Sequence, residues 1–286
     1  MLDFTKPRLE HGGADTVTRE TMGASYEHES AVRHVAGSAI YVDDIPAPEG
    51  TLHAYFGFSS VARAKILKIN LDKVKSAHGV VSVLTLDEVD GITDVGPVFK
   101  GDPIMLGVGD EVQFCGQVLF AVCADSRLHA RNAARLAEVE YELMEPDVTI
   151  EQGWKKNSFV RPSHEQKKGD FEQCIRNASY QINGELKVGG QEHFYLESQA
   201  VLCIPSEEGG MNVYTSSQNP TENQKLVAEV LNIPFNRVNV EVRRMGGAFG
   251  GKETNSNQWT CIAALLAHKI NRPVKACLSR GDDMRS

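Results

Sequence analysis

No two cysteines are spaced C-x-x-C in this chain of 286 residues; the six stand at 115, 123, 174, 203, 261 and 277, with no histidine pair nearby. Zinc ribbons and iron–sulfur centres gather thiolates from closely spaced pairs. The expectation is therefore six buried, reduced thiols and no cluster held by this chain. Positive charge is scarce too: 30 Lys and Arg against 38 Asp and Glu leave a formal net charge of −8. Nucleic acid and anionic lipid both call for a basic footprint, so neither is expected as a partner. Long apolar runs are missing. The longest, residues 261–267, falls well short of the roughly 20 residues that cross a bilayer. Residues 1–8 have no apolar core of a secretory signal, and a soluble, cytoplasmic protein is expected.

What is present suits an ordinary globular protein. With 41% hydrophobic and 24% charged residues the chain can fill a core, and at about 150 residues per domain its length predicts two domains. Residues 1–30 are polar and aperiodic, and read as a leader. Between 31 and 150 the pattern predicts strands at 52–58, 66–71, 80–85 and 117–123. A short helical turn at 72–78 closes on Gly79. A helix capped by Asp125 follows, with Leu128, Ala133, Leu136 and Ala137 on one face, and then a half-exposed strand at 139–143. Residues 151–169, charged and holding Pro162, read as a linker. From 170 on, strands are predicted at 180–188, 201–205, 211–216, 238–242 and 274–278. Asn219, Pro220 and Glu222 mark a helix start, with Leu226, Val227, Val230 and Leu231 as its buried stripe. Trp259, Ile262, Leu265 and Leu266 belong to a last helix.

Two glycine-rich segments carry the chemistry. Residues 246–251 place four glycines in six positions between a strand and a helix, which lets main chain approach a partner closely and aims the following amides at an oxygen bearing negative charge. Phe249 in their midst suggests a wall or packing plug. The spacing Gly246-x-x-x-x-Gly251-Lys252 fits a phosphate-binding loop, but Glu253 stands where Ser or Thr should hold magnesium. A glycine turn needed only for helix–sheet packing also accounts for the spacing. The second segment, Gly189-Gly190-Gln191-Glu192-His193-Phe194-Tyr195-Leu196-Glu197, follows a predicted strand. Gln191 can donate and accept hydrogen bonds without charge. His193 reads as structural, because no second metal ligand lies near it, and Glu192 and Glu197 as solvated or capping acids. Asp43-Asp44 is explained by turn chemistry. Gly107-Val108-Gly109 lacks the third glycine of a dinucleotide fingerprint. Neither G-x-S-x-G nor H-E-x-x-H occurs.

Three stretches together resemble the molybdenum-binding region of the xanthine dehydrogenase and aldehyde oxidase family. They are His34-Val35-Ala36-Gly37-Ser38-Ala39-Ile40-Tyr41-Val42-Asp43-Asp44-Ile45-Pro46, the run from Gly190 to Glu197, and Arg244-Met245-Gly246-Gly247-Ala248-Phe249-Gly250-Gly251-Lys252-Glu253. The resemblance implies an α+β fold: an α/β hammerhead domain over 31–150, then, after the linker, the first part of a mixed α/β molybdopterin-binding domain over 170–286. By the same resemblance Gln191, Phe249 and Gly250 lie beside the molybdenum without ligating it, and Glu253 reaches a purine substrate. Aldehyde oxidases usually carry an apolar residue at the place of Glu253, and Ala248 replaces a glycine common in animal relatives.

The implied reaction is hydroxylation of hypoxanthine and xanthine to urate with water as oxygen source. Electrons leave through [2Fe–2S] clusters and FAD, expected on a partner subunit or on other modules, to NAD. A homodimer of the full complex is implied. The family's molybdenum region continues past the point matched by Ser286, and its general-base glutamate, a substrate-positioning arginine and most pterin contacts lie there. This chain is therefore expected to be part of a longer or split subunit and inactive alone, with no catalytic residue assignable in it. An aldehyde- or heteroaromatic-oxidising relative, and a non-catalytic folding or interface module, are the alternatives.

Overall fold

The computed structural model describes residues 26–286. Most of the predicted leader lies outside the described residues; at its end Ser30 is buried, and its hydroxyl accepts a hydrogen bond from Arg244 Nε at 3.3 Å. In chain order, the first part of the fold runs α1 (Ala31–Val35), β1 (Leu52–Phe58), β2 (Ala64–Asn70), α2 (Asp72–Lys75), β3 (Val80–Leu84), β4 (Glu111–Val112), β5 (Val118–Ala124), α3 (Arg127–Ala134) and β6 (Glu138–Leu143). Then come α4 (Ile150–Lys155), α5 (Phe171–Asn177), β7 (Ala200–Pro205), β8 (Met211–Thr215), α6 (Pro220–Leu231), β9 (Val238–Glu241), α7 (Ser256–Ile270), β10 (Val274–Cys277) and α8 (Arg280–Asp283).

A seven-stranded mixed sheet in the order β3-β5-β1-β10-β7-β8-β9 forms the spine, and a separate three-stranded sheet has the order β4-β2-β6. β5 explains itself. Its seven residues, all apolar, are all buried, because one face meets a core with α6 and α7 while the other meets α3 and the smaller sheet. A strand covered on both sides reads as a continuous apolar run instead of alternating. Gly57 sits opposite Phe120, and a Cβ there would lie 2.1 Å from the ring, so only glycine fits. The apolar run 261–267 lies in α7, where every one of those residues is buried. Among the described residues no helix is long and apolar enough to cross a membrane.

Several expectations fail. α3 is capped by Ser126, whose hydroxyl accepts from the His129 amide at 3.2 Å; Asp125 instead meets His129 Nδ1 at 2.5 Å. With the start moved by one residue, Ala130, Ala133 and Ala134 face the core, and Leu128 is left 63% exposed and Leu136 exposed as well. Residues 180–188 form no strand. Their alternation is intact, but no strand among the described residues lies alongside to complete the ladder, and Ile182 is 98% exposed. Of the six cysteines, all free, Cys115 and Cys174 are exposed and Cys277 is only partly buried. The predicted linker begins inside α4, and Arg161 within it stacks over the Phe99 ring at 3.2 Å. The Asp43-Asp44 pair does serve a turn. Asp44 Oδ2 accepts from the Tyr41 amide at 3.0 Å, while Lys275 of β10 reaches out to the carbonyls of Asp43 and Ile45 at 2.6 and 3.3 Å.

Candidate cofactor-contact site

The turn after β9 and the segment leading into β7 come together at one end of the spine. The Glu197 amide donates to Gly246 O at 3.1 Å, and the Gly246 amide returns a bond to Glu197 Oε2 at 2.7 Å. A Cβ on Gly246 would stand 2.5 Å from Glu197 Cβ; one on Gly251 would stand 2.7 Å from Tyr195 Cε1. Two of the four glycines are thus needed for contact with the other glycine-rich segment. Gln199 Nε2 donates to Gly251 O and to the Tyr195 hydroxyl, both at 3.1 Å. Gln218 binds three more main-chain groups: its side-chain Oε1 accepts from the Gly250 and Lys252 amides at 3.1 and 3.2 Å, and its backbone N–H donates to Lys252 O at 2.9 Å.

Lys252 decides against a phosphate-binding loop. Its side chain is 0% exposed and points inward, donating to Ser216 Oγ at 2.7 Å and Glu197 Oε2 at 3.3 Å, with Nζ 4.5 Å from the centre of the Tyr195 ring. Burial pulls its pKa down, and the Glu197 charge opposes that pull. Glu197, expected as a solvated or capping acid, is mostly buried, and its Oε2 accepts from Gly246, Lys252 and Ser216, the last at 2.7 Å.

Beneath them α8 adds two buried acids, Asp282 and Asp283. Tyr55 donates to Asp282 Oδ2 and Tyr195 to Asp283 Oδ1, each at 2.9 Å. Arg280 bonds the carbonyls of Tyr195 and Leu196, holding that segment from outside. Burial raises the Asp283 carboxyl above its usual range and, with the Asp283 charge, raises the Tyr195 phenol.

Phe249, Gly250 and Glu253 are exposed on this turn, whereas Gln191 is exposed on its own segment and makes no hydrogen bond to the turn among the described residues. Phe249 is 76% exposed with φ +54°, so it is a projecting ring and not a packing plug. Gly250 has φ +96° and open space where a side chain would begin; the nearest atom is His193 Nε2 at 3.8 Å. Glu253 is exposed, as is Gln191, whose Nε2 bonds the carbonyl of Gly190 at 3.2 Å. His193 lies half-open over Tyr195, with ring centres 6.3 Å apart. Among the described residues no group of three His, Cys, Asp or Glu could hold a metal ion. The amides of Gly246, Gly250, Gly251 and Lys252, expected to aim at an anionic oxygen, bond acceptors within the protein instead; what the turn offers outward is a ring and a bare glycine, which fits contact with a bulky group whose metal is ligated by its own atoms. The residues that hold the pad together, namely the buried Tyr195, Gln199, Ser216, Lys252 and Asp283 with the mostly buried Glu197 and the exposed Gln218, were not legible as a set.

Residues 36–145 match the family model described as the aldehyde oxidase and xanthine dehydrogenase a/b hammerhead domain, and residues 151–286 the one described as the molybdopterin cofactor-binding domain. A xanthine dehydrogenase/oxidase of Gallus gallus is 37% identical over 269 residues, covering 94% of this chain and 20% of that protein. Aldehyde oxidase 1 of Bos taurus is 38% identical over 281 residues, covering 96% and 21%. The chain thus spans about a fifth of the length of these relatives. Among solved structures, the quinoline 2-oxidoreductase of Pseudomonas putida 86 superposes with a TM-score of 0.78 at 21% identity, over 91% of this chain and 35% of that one. The aldehyde oxidoreductase of Desulfovibrio gigas does so with 0.76 at 23%, over 92% and 31%; at such identities these two speak for the fold. With both of its domains matched, and with relatives of both names at similar identity, the chain belongs to the xanthine dehydrogenase and aldehyde oxidase family.

Proposed function

We propose that this chain is the hammerhead and first cofactor-binding part of a molybdenum hydroxylase that oxidises hypoxanthine and xanthine to urate with water as oxygen donor. The observation that carries the reading is the exposure of Phe249, Gly250 and Glu253 on a turn whose main chain is held by Gln218 and Glu197. Bound against that turn, the molybdenum–molybdopterin group supplies two-electron redox chemistry. The chain's own residues position and exclude. Gln191 offers an uncharged amide to an oxygen or hydroxyl of the bound group. The Phe249 ring walls off water on one side, and Gly250 leaves room for close approach. The Glu253 carboxylate accepts a hydrogen bond from a purine N–H and so holds the ring as negative charge spreads over it. [2Fe–2S] clusters and FAD belong, on this reading, to a partner subunit or to other modules, with the assembled enzyme a cytoplasmic homodimer; the cysteine spacing, with no C-x-x-C pair, supports that division.

Glu253→Ala in the full-length enzyme tests it. Losing a charge-assisted hydrogen bond worth about 1.5–3 kcal/mol lowers kcat/KM on purines by roughly 10- to 150-fold, while aldehyde oxidation is unchanged or rises. An unchanged purine rate with no gain on aldehydes refutes the purine reading. The second reading is an aldehyde- or N-heteroaromatic-oxidising enzyme, since aldehyde oxidases and xanthine dehydrogenases match the chain at the same 37–38% identity. Substrate profiling of the wild-type enzyme separates the two. A protein that binds no molybdenum when full length would be left with a folding or interface role.

A further inference from the structure

Lys252 and Glu197 come from different glycine-rich segments, 55 positions apart, and their side chains meet behind the turn. The ammonium has three donors and three neighbours: the Ser216 hydroxyl, the Glu197 carboxylate and the face of Tyr195. Glu197 Oε2 in turn accepts from the Gly246 amide, the Ser216 hydroxyl and Lys252, while Oε1 is buried with no hydrogen-bond partner among the described residues. A buried ion pair adds little net stability, because desolvation cancels much of the attraction. What it does supply is direction, since each donor must find its acceptor. Lys252 is turned inward between the exposed Gly250 and the exposed Glu253. Once its side chain is fixed inside, its neighbours are committed to the outer face.

From this geometry we infer that Glu197 and Lys252 are a positioning pair: they do not touch substrate or cofactor, and they hold Phe249, Gly250 and Glu253 in the orientation the reaction uses. The inference rests on the reading above that this turn faces the molybdenum group.

The test uses the full-length, cofactor-loaded protein with Lys252→Met and Glu197→Gln, and with Ser216→Ala as a milder variant that keeps both charges. Two readouts apply: hydrogen exchange of the amides at 246–252 against those at 261–267 in α7, and the electron paramagnetic resonance of the metal centre. The expected result is exchange in the turn faster by at least about tenfold with α7 unchanged, together with a shifted metal signal. Ser216→Ala moves both in the same direction by less, and it decides the matter if the charge variants do not fold. Turn exchange equal to wild type overturns the inference, as does a loosened turn with an unshifted metal signal; either leaves the proposed function standing. Wild-type protein without molybdenum overturns the proposed function, and the positioning role with it, whatever the turn's exchange.

Discussion

Leu52 stands opposite Val274 in parallel register, so β1, from the region matched by the hammerhead family, lies beside β10, from the cofactor-binding region, at the centre of one sheet. One core runs across that seam: Leu52, Ala54 and Phe56 share it with Ile262, Leu266 and Val274, and Phe56 meets Trp259 edge-on with ring centres 4.9 Å apart. The two matched regions therefore unfold together. Leu52→Ala, which empties a nearly fully buried site, should cost roughly 2–5 kcal/mol and lower a single calorimetric transition. Two separate transitions, only one of them shifted, would refute the shared core.

The four glycines of the turn are not equivalent, and alanine substitutions should separate them. In Gly251→Ala the new Cβ would lie 2.7 Å from Tyr195 Cε1 and 3.0 Å from His193 Cγ, so the Tyr195 ring must move, straining its bonds to Asp283 and Gln199. Gly250→Ala meets open space and faces only the backbone cost of φ +96°, of order 1–3 kcal/mol. The melting temperature should fall for both and further for Gly251→Ala. The reverse order would mean that the packing of Tyr195 does not hold the turn.

Local signals were readable and distant ones were not. Asn219, Pro220 and Glu222 start α6 as expected, with Asn219 Oδ1 accepting from the Glu222 amide at 3.2 Å, because a helix cap is settled within four residues. The alternation of Val238 and Val240 becomes β9 because β8 lies beside it in parallel register. The alternation at 180–188 is just as regular and yields no strand, since a strand also needs a neighbour that its own sequence does not encode. Lys252 makes the same point at the site. Spacing placed it correctly after two glycines, but whether it faced out to an anion or in to a carboxylate was decided by Glu197 and Ser216, which lie far away in sequence. Gln191, Phe249, Gly250 and Glu253 are proposed from motif resemblance, whereas the residues that pack behind the turn required the fold.

Phe249 holds a left-handed backbone, φ +54°, while its ring contributes almost no burial. Such a conformation costs a non-glycine residue of order 1–2 kcal/mol, and a ring that is 76% exposed, with only its edge near Gly247, offsets little of it. Phe249→Gly should therefore raise the melting temperature of the cofactor-free protein by a few degrees, as expected for about 1 kcal/mol. On the proposed function it should also impair the loaded enzyme, by removing the ring proposed to wall off water. A drop in stability of the cofactor-free protein would show that the ring packs on something.

Two buried ionisable groups give stability opposite slopes at the two ends of the pH scale. Asp283 is raised above its ordinary 3.8, chiefly by burial, so between 3.8 and its higher folded value the native state binds more protons than the unfolded chain. Stability from this group accordingly falls as pH rises through that window. Lys252 is lowered from 10.5, again chiefly by burial. Between its lower folded value and 10.5 the unfolded chain binds more protons, so stability rises with pH there. Denaturant titrations across pH should show the acid-side slope reduced in Asp283→Asn, which keeps an oxygen for the Tyr195 hydroxyl, and the alkaline-side slope reduced in Lys252→Met. An alkaline slope identical in wild type and Lys252→Met would mean that the ammonium reaches solvent, and that the inward pairing with Glu197 and Ser216 does not hold in solution.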